Sequence, residues 1–130
     1  MQIREASCAC GALTARAEGE PQRTSLCNCN NCKRRSGSAF AWTASYRAEQ
    51  VAVAGPQLTC ERHSDEGNWA RFHFCGRCGG TVHYEIQVRP GMISIPAGGF
   101  ADPSFPAPTV EVFEERRCPW LPDFGIERQW

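Results

Sequence analysis

The chain has 130 residues, with 14 Lys plus Arg against 14 Asp plus Glu and 42% hydrophobic content. That length suits one domain over 1–130 with its own core. The zero formal charge gives no general affinity for nucleic acid or membrane surfaces, and no stretch is long and apolar enough to span a bilayer.

The opening Met1–Glu5 lacks the apolar run of a secretory signal, so the expected compartment is the reducing cytoplasm. There, nine cysteines are expected as ligands or free thiols, and an odd number cannot all pair as disulfides. Pro and Gly cut the chain into short pieces. Alternating or β-branched patterns predict strands over Ala12–Ala17, Ala39–Tyr46, Gln50–Ala54, Gln57–Arg62, Ala70–Phe74, Thr81–Ile86, Met92–Ile95 and Thr109–Phe113. Asn31–Ser36 reads as one short helix stopped by Gly37, with a further turn at Arg47–Gln50. From Ala101 onward five prolines predict an irregular strap anchored by Trp120, Leu121, Phe124 and Trp130. The sum is an all-β fold of short antiparallel strands, a sandwich or tent.

The cysteines carry the chemistry. Cys8 and Cys10 form C-x-C-G, and Cys75 and Cys78 form C-x-x-C-G. Four thiolates close a tetrahedral structural zinc site, and joining two pairs so far apart in sequence ties the N-terminal hairpin to the middle of the sheet. On a strand, Cys8 and Cys10 would share a face. Gly11 and Gly79 permit the left-handed backbone that turns amides toward sulfur.

Cys27, Cys29 and Cys32 form C-x-C-x-x-C, a trio that leaves a zinc one open corner, as in catalytic sites. Asn30 and Asn31 suit the turn that returns Cys32 to the other two. Cys32 then opens the helix, where the dipole and Lys33, Arg34 and Arg35 favour thiolate. Cys60, Cys118, His63, His73 and His83 are candidate fourth ligands without the spacing of a zinc pair. His73 and His83 lie within strand patterns and read first as satisfied strand histidines, while Cys60 and Cys118 read as small hydrophobes. Seven thiolates on two zinc ions would make the loaded chain acidic by about three charges.

These clusters, with Arg34-Arg35-Ser36-Gly37-Ser38, Phe74-Cys75-Gly76-Arg77-Cys78-Gly79-Gly80, Pro90-Gly91, Ser94–Gly98 and Pro119-Trp120-Leu121, resemble the glutathione-dependent formaldehyde-activating enzyme family, which includes centromere protein V. The resemblance runs over nearly the whole chain. It implies a zinc-stapled β-tent with a structural zinc on Cys8, Cys10, Cys75 and Cys78. It also implies a catalytic zinc on Cys27, Cys29 and Cys32. The activity it implies is a carbon–sulfur lyase reaction, the formation or cleavage of the adduct between glutathione and formaldehyde.

A thiol entering the open corner would be held as thiolate, ready to attack an aldehyde or to leave a thiohemiacetal. Glutathione has two carboxylates, which suit arginine forks. Arg34 and Arg35 are the first candidates, with Arg62, Arg71 and Arg77 behind them and Ser36 and Ser38 as donors. Phe40, Trp42 and Trp120 could wall the pocket, but each reads first as a core residue. No general base stands out. The rival class is a non-catalytic zinc scaffold or a thiol or metal sensor, and monomer and homodimer are both open.

Overall fold

The computed structural model describes residues 1–129; the expected anchor Trp130 lies outside them. Eleven strands follow in chain order: β1 (Ile3–Ser7), β2 (Thr14–Glu18), β3 (Arg23–Cys27), β4 (Ala41–Arg47), β5 (Val51–Ala54), β6 (Leu58–His63), β7 (Trp69–Phe74), β8 (Thr81–Ile86), β9 (Met92–Pro96), β10 (Val110–Val112) and β11 (Glu127–Gln129). Among the described residues one α-helix, α1 (Asn30–Ser36), follows β3. A small sheet of order β1-β2-β5 stands beside a large sheet of order β11-β10-β3-β4-β9-β8-β7-β6. The fold is therefore mostly β, as the patterns predict.

Small side chains let the two sheets approach closely. Ala6, Ala15 and Ala17 of the small sheet pack with Ala44, Tyr46 and Ile95 of the large one, and Leu13, Phe100 and Phe105 fill the gap. On β2, Ala15 and Ala17 alternate with more exposed neighbours, as the period of a strand requires. A second, smaller cluster, Ala70, Phe72 and Tyr84, forms on the β7–β8 pair.

Three expectations need correction. Cys8 and Cys10 do not share a strand face. Cys8 follows β1, Ala9 and Cys10 form a turn, and the Gly11 amide donates to the Cys8 carbonyl at 3.1 Å. The strands are not all antiparallel: β10 runs parallel to both β3 and β11, because the strap crosses over before it joins the sheet edge. Trp120 does not anchor the strap, being 74% exposed. Phe105 and Val110 are buried in its place, and Thr24 binds the strap through its hydroxyl to the Ala107 carbonyl (3.0 Å) and its carbonyl to the Thr109 amide (3.1 Å).

Candidate functional site

Two hairpin turns bring the four-thiol cluster together. Cys75 directly follows β7, and the Gly79 amide donates to the Cys75 carbonyl at 2.8 Å, with Gly79 at φ +78°. Gly11 sits at φ +84° in the matching turn after β1. In this left-handed backbone a side chain is strained, which explains glycine after each pair. The amides of Leu13 and Arg77 donate to Cys8 Sγ and Cys75 Sγ, each at 3.3 Å. Hydrogen bonds from the Gly80 and Cys10 backbone draw the Cys78 thiol down to about 6.

Sulfur spacing tests whether a metal fits. Cys8 Sγ and Cys10 Sγ are 3.7 Å apart and Cys10 Sγ and Cys75 Sγ 3.6 Å. A zinc–sulfur bond of about 2.3 Å gives a tetrahedral edge of about 3.8 Å, so the donor set fits zinc. Cys8 and Cys75 belong to the main core cluster, so the sulfurs continue the core rather than decorate it.

The three-thiol cluster comes from one local segment. Cys27 ends β3, Cys29 is the N-cap of α1 and accepts from the Cys32 amide at 3.3 Å, and Cys32 lies in the first turn. Gly37 ends the helix at φ +69°. Their ligand atoms lie within 4.8 Å of one another, and among the described residues no fourth His, Cys, Asp or Glu joins them. The neighbouring Cys27 and Cys32 thiols pull Cys29 down to about 2, while the Cys29 and Cys32 thiols push Cys27 up. Alone, the trio thus favours one charge on Cys29, and full deprotonation calls for a cation at its centre.

Asn28 holds this segment in place, and sequence reading missed it. Its side chain is fully buried (0% exposed), and Nδ2 donates to Glu111 Oε2 at 2.8 Å. Its backbone amide donates to the Val112 carbonyl at 3.0 Å. Glu111, 1% exposed, also takes a two-pronged contact from Arg117 at 2.9 and 3.1 Å. Those bonds hold the Glu111 carboxyl below its ordinary range against the opposing effect of burial. The only local hint was an asparagine between two cysteines, which reads as a turn residue.

Cys27 and Cys32 open into a cavity of about 310 Å³. Among the described residues its lining holds four arginines, Arg23, Arg35, Arg62 and Arg89, and no Asp or Glu. Arg35 lies over the Phe72 and Tyr84 rings at 5.4 and 5.2 Å, and Arg62 over Phe72 at 4.8 Å. Arg35 Nε is buried without a hydrogen-bond partner among the described residues, a donor that suits an anion. The Tyr84 hydroxyl meets Thr43 Oγ1 at 2.8 Å, and burial raises its pKa. Phe113, at the cavity wall, holds φ +56°, a conformation rare outside glycine and costly for a ring-bearing residue.

The remaining expected residues lie elsewhere. Arg34 and Ser36 are exposed and outside the cavity lining, and Ser36 Oγ is committed to the Cys32 carbonyl at 2.8 Å. Arg71 pairs with Glu61 at 2.9 Å, and Arg77 stands in the four-thiol turn. Phe40 meets Phe124, Trp42 packs edge-on to Phe105, and neither lines the cavity.

Comparison with protein families matches residues 3–116 to the family described as "Glutathione-dependent formaldehyde-activating enzyme". The chain belongs to that family. No curated protein matches it. Among solved structures, the crystal structure of a Rhodobacter sphaeroides protein is similar, with 22% identity and a TM-score of 0.58 over 73% of this chain and 85% of that one. At that identity the likeness is one of fold. Family membership supports a function related to glutathione and formaldehyde, and the two cysteine clusters could each hold a metal ion. Among the described residues no helix is long and apolar enough to cross a membrane.

Proposed function

We propose that the chain is a zinc-dependent carbon–sulfur lyase that forms or cleaves a thiol–aldehyde adduct such as S-hydroxymethylglutathione. The observation that carries this reading is the cavity. Two members of a cluster with three protein ligands among the described residues open into a space rich in arginine, with no Asp or Glu among its described lining. In this reading Cys27, Cys29 and Cys32 hold the catalytic zinc, and Cys8, Cys10, Cys75 and Cys78 hold the structural one. Bound to the trio, zinc supplies a Lewis acid that keeps a nearby thiol deprotonated at neutral pH.

The chain's own residues do the rest. Arg35 and Arg62, with Arg23 and Arg89 across the cavity, bind the carboxylates of the thiol partner. Phe72 and Tyr84, with ring centroids 5.0 Å apart, exclude water from one wall. Tyr84 keeps its proton because burial raises its pKa, so its hydroxyl can donate to the oxygen of the aldehyde. As the adduct forms, a sulfur lone pair closes the C–S bond and the carbonyl π pair moves to oxygen, which takes up through water the proton that the thiol released. Cleavage reverses both movements, and nothing is oxidised or reduced. We place the activity in a single cytoplasmic domain acting on a small thiol and an aldehyde.

The test is the decay of S-hydroxymethylglutathione in the presence of wild type and Cys29→Ser. Wild type should accelerate the decay. Cys29→Ser should leave it at the buffer rate while keeping wild-type thermal unfolding. Equal rates from two folded proteins would remove the catalytic reading and leave a zinc scaffold or sensor.

A further inference from the structure

We propose that His73, His83 and Glu85 form a third metal site, for a divalent transition-metal ion, separate from both thiol clusters. His73 and His83 face each other directly across the β7–β8 pair, and Glu85 lies two residues beyond His83 on the same face. The register slips between His73 and Phe74, and such bulges re-aim side chains. One ligand atom from each residue lies within 4.8 Å of the other two. His73 and His83 are 8% and 6% exposed, so this is a built cluster and not a surface coincidence.

Hydrogen bonds outside the trio orient both rings for ligation. Gln57 Oε1 lies 2.8 Å from His83 Nε2. A carbonyl oxygen only accepts, so Nε2 carries the proton and Nδ1 carries the lone pair. That Nδ1 is buried and has no hydrogen-bond partner among the described residues. Thr59 Oγ1 meets His73 Nδ1 at 3.0 Å and frees Nε2 for Glu85, at 2.8 and 2.9 Å. Imidazoles fixed by oxygen partners on the far nitrogen are the usual second layer of a metal site.

A metal would replace the proton between His73 and Glu85 and satisfy the orphaned Nδ1. The two rings are stacked, 12° from parallel with centroids 4.3 Å apart, so one must turn to meet a shared ion. The open cleft of about 540 Å³ that these three residues line, with Trp69, Met92 and Ile93, gives it room. Two imidazoles and one carboxylate suit zinc or iron(II), and three protein ligands leave positions open toward the cleft.

This site does not depend on turnover at the thiol cluster, and its test needs no activity. Full-length wild type, His83→Gln, Glu85→Gln and Gln57→Leu are brought to equilibrium dialysis against excess Zn²⁺, and bound zinc per chain is counted. Both ligand variants should bind one ion fewer than wild type. Gln57→Leu should keep that ion but weaken it about ten- to a hundredfold. X-ray absorption should give the lost ion nitrogen and oxygen neighbours. Glu85 is only half-buried, so Glu85→Gln carries the test should His83→Gln fail to fold. Equal zinc content at saturation in wild type and folded Glu85→Gln overturns the proposal.

Discussion

The two thiol clusters use the same side chain and differ in what holds it. The four-thiol cluster joins two turns far apart in sequence, takes amide hydrogen bonds at its sulfurs, and places Cys8 and Cys75 in the main core. The three-thiol cluster comes from one short segment and leans on a buried polar network, Asn28–Glu111–Arg117, that reaches in from the strap. A saturated site can stabilise the fold through its own closure. A site left open toward an arginine-lined cavity contributes less closure, so neighbouring elements must position it.

Breaking each side should therefore fail differently. The largest effect is expected from Cys75→Ser. A structural zinc site contributes on the order of 10 kcal/mol, comparable to the whole stability of a small domain. No cooperative transition should remain in circular dichroism melts, and a transition near the wild-type temperature would refute the structural role.

Tyr84→Phe should lower kcat about a hundredfold with little change in KM, because it removes one donor to the developing oxygen charge. Steady-state kinetics with S-hydroxymethylglutathione checks this, and a change confined to KM would place Tyr84 in binding only. Asn28→Ala should cost about 2 kcal/mol in urea unfolding of the zinc-loaded protein, as a buried amide loses its partners and Glu111 loses a donor. It should also speed chelator removal of zinc from the three-thiol cluster while sparing the other.

Arg35→Ala should raise KM about tenfold, the scale of one charge-assisted hydrogen bond. Arg34→Ala, one residue away but exposed, should leave KM unchanged. Equal effects of the two would show that the helix attracts the substrate by net charge rather than by contact.

Much of this contrast is legible in the sequence. Cysteine spacing gives both clusters, and glycine after each pair marks the left-handed turns at Gly11 and Gly79. Regular alternation gives β4, β7 and β8 close to their observed bounds. The strand at Ile3–Ser7 was not legible, because its charged residues interrupt any apolar pattern and only pairing with β2 makes it a strand. Trp120 looked like an anchor by size alone, while Phe105 sits in a Pro- and Ser-rich stretch that reads as loop.

Asn28 was hidden because its partner Glu111 is 83 positions away. Arg35 could not be separated from Arg34 without the sheet face against which α1 packs. Arg23 and Arg89 gave no local signal, since the cavity gathers them from β3 and from the loop before β9.

The most direct measurement is the sulfur count at zinc by X-ray absorption on Glu85→Gln, chosen so that thiol-bound ions alone contribute. One saturated and one open site should give a mean of about 3.5 sulfur neighbours per zinc, rising to about 4 when glutathione is added. A count of four before any thiol is added contradicts the open corner, and a count that glutathione leaves at about 3.5 contradicts entry of the thiol into it.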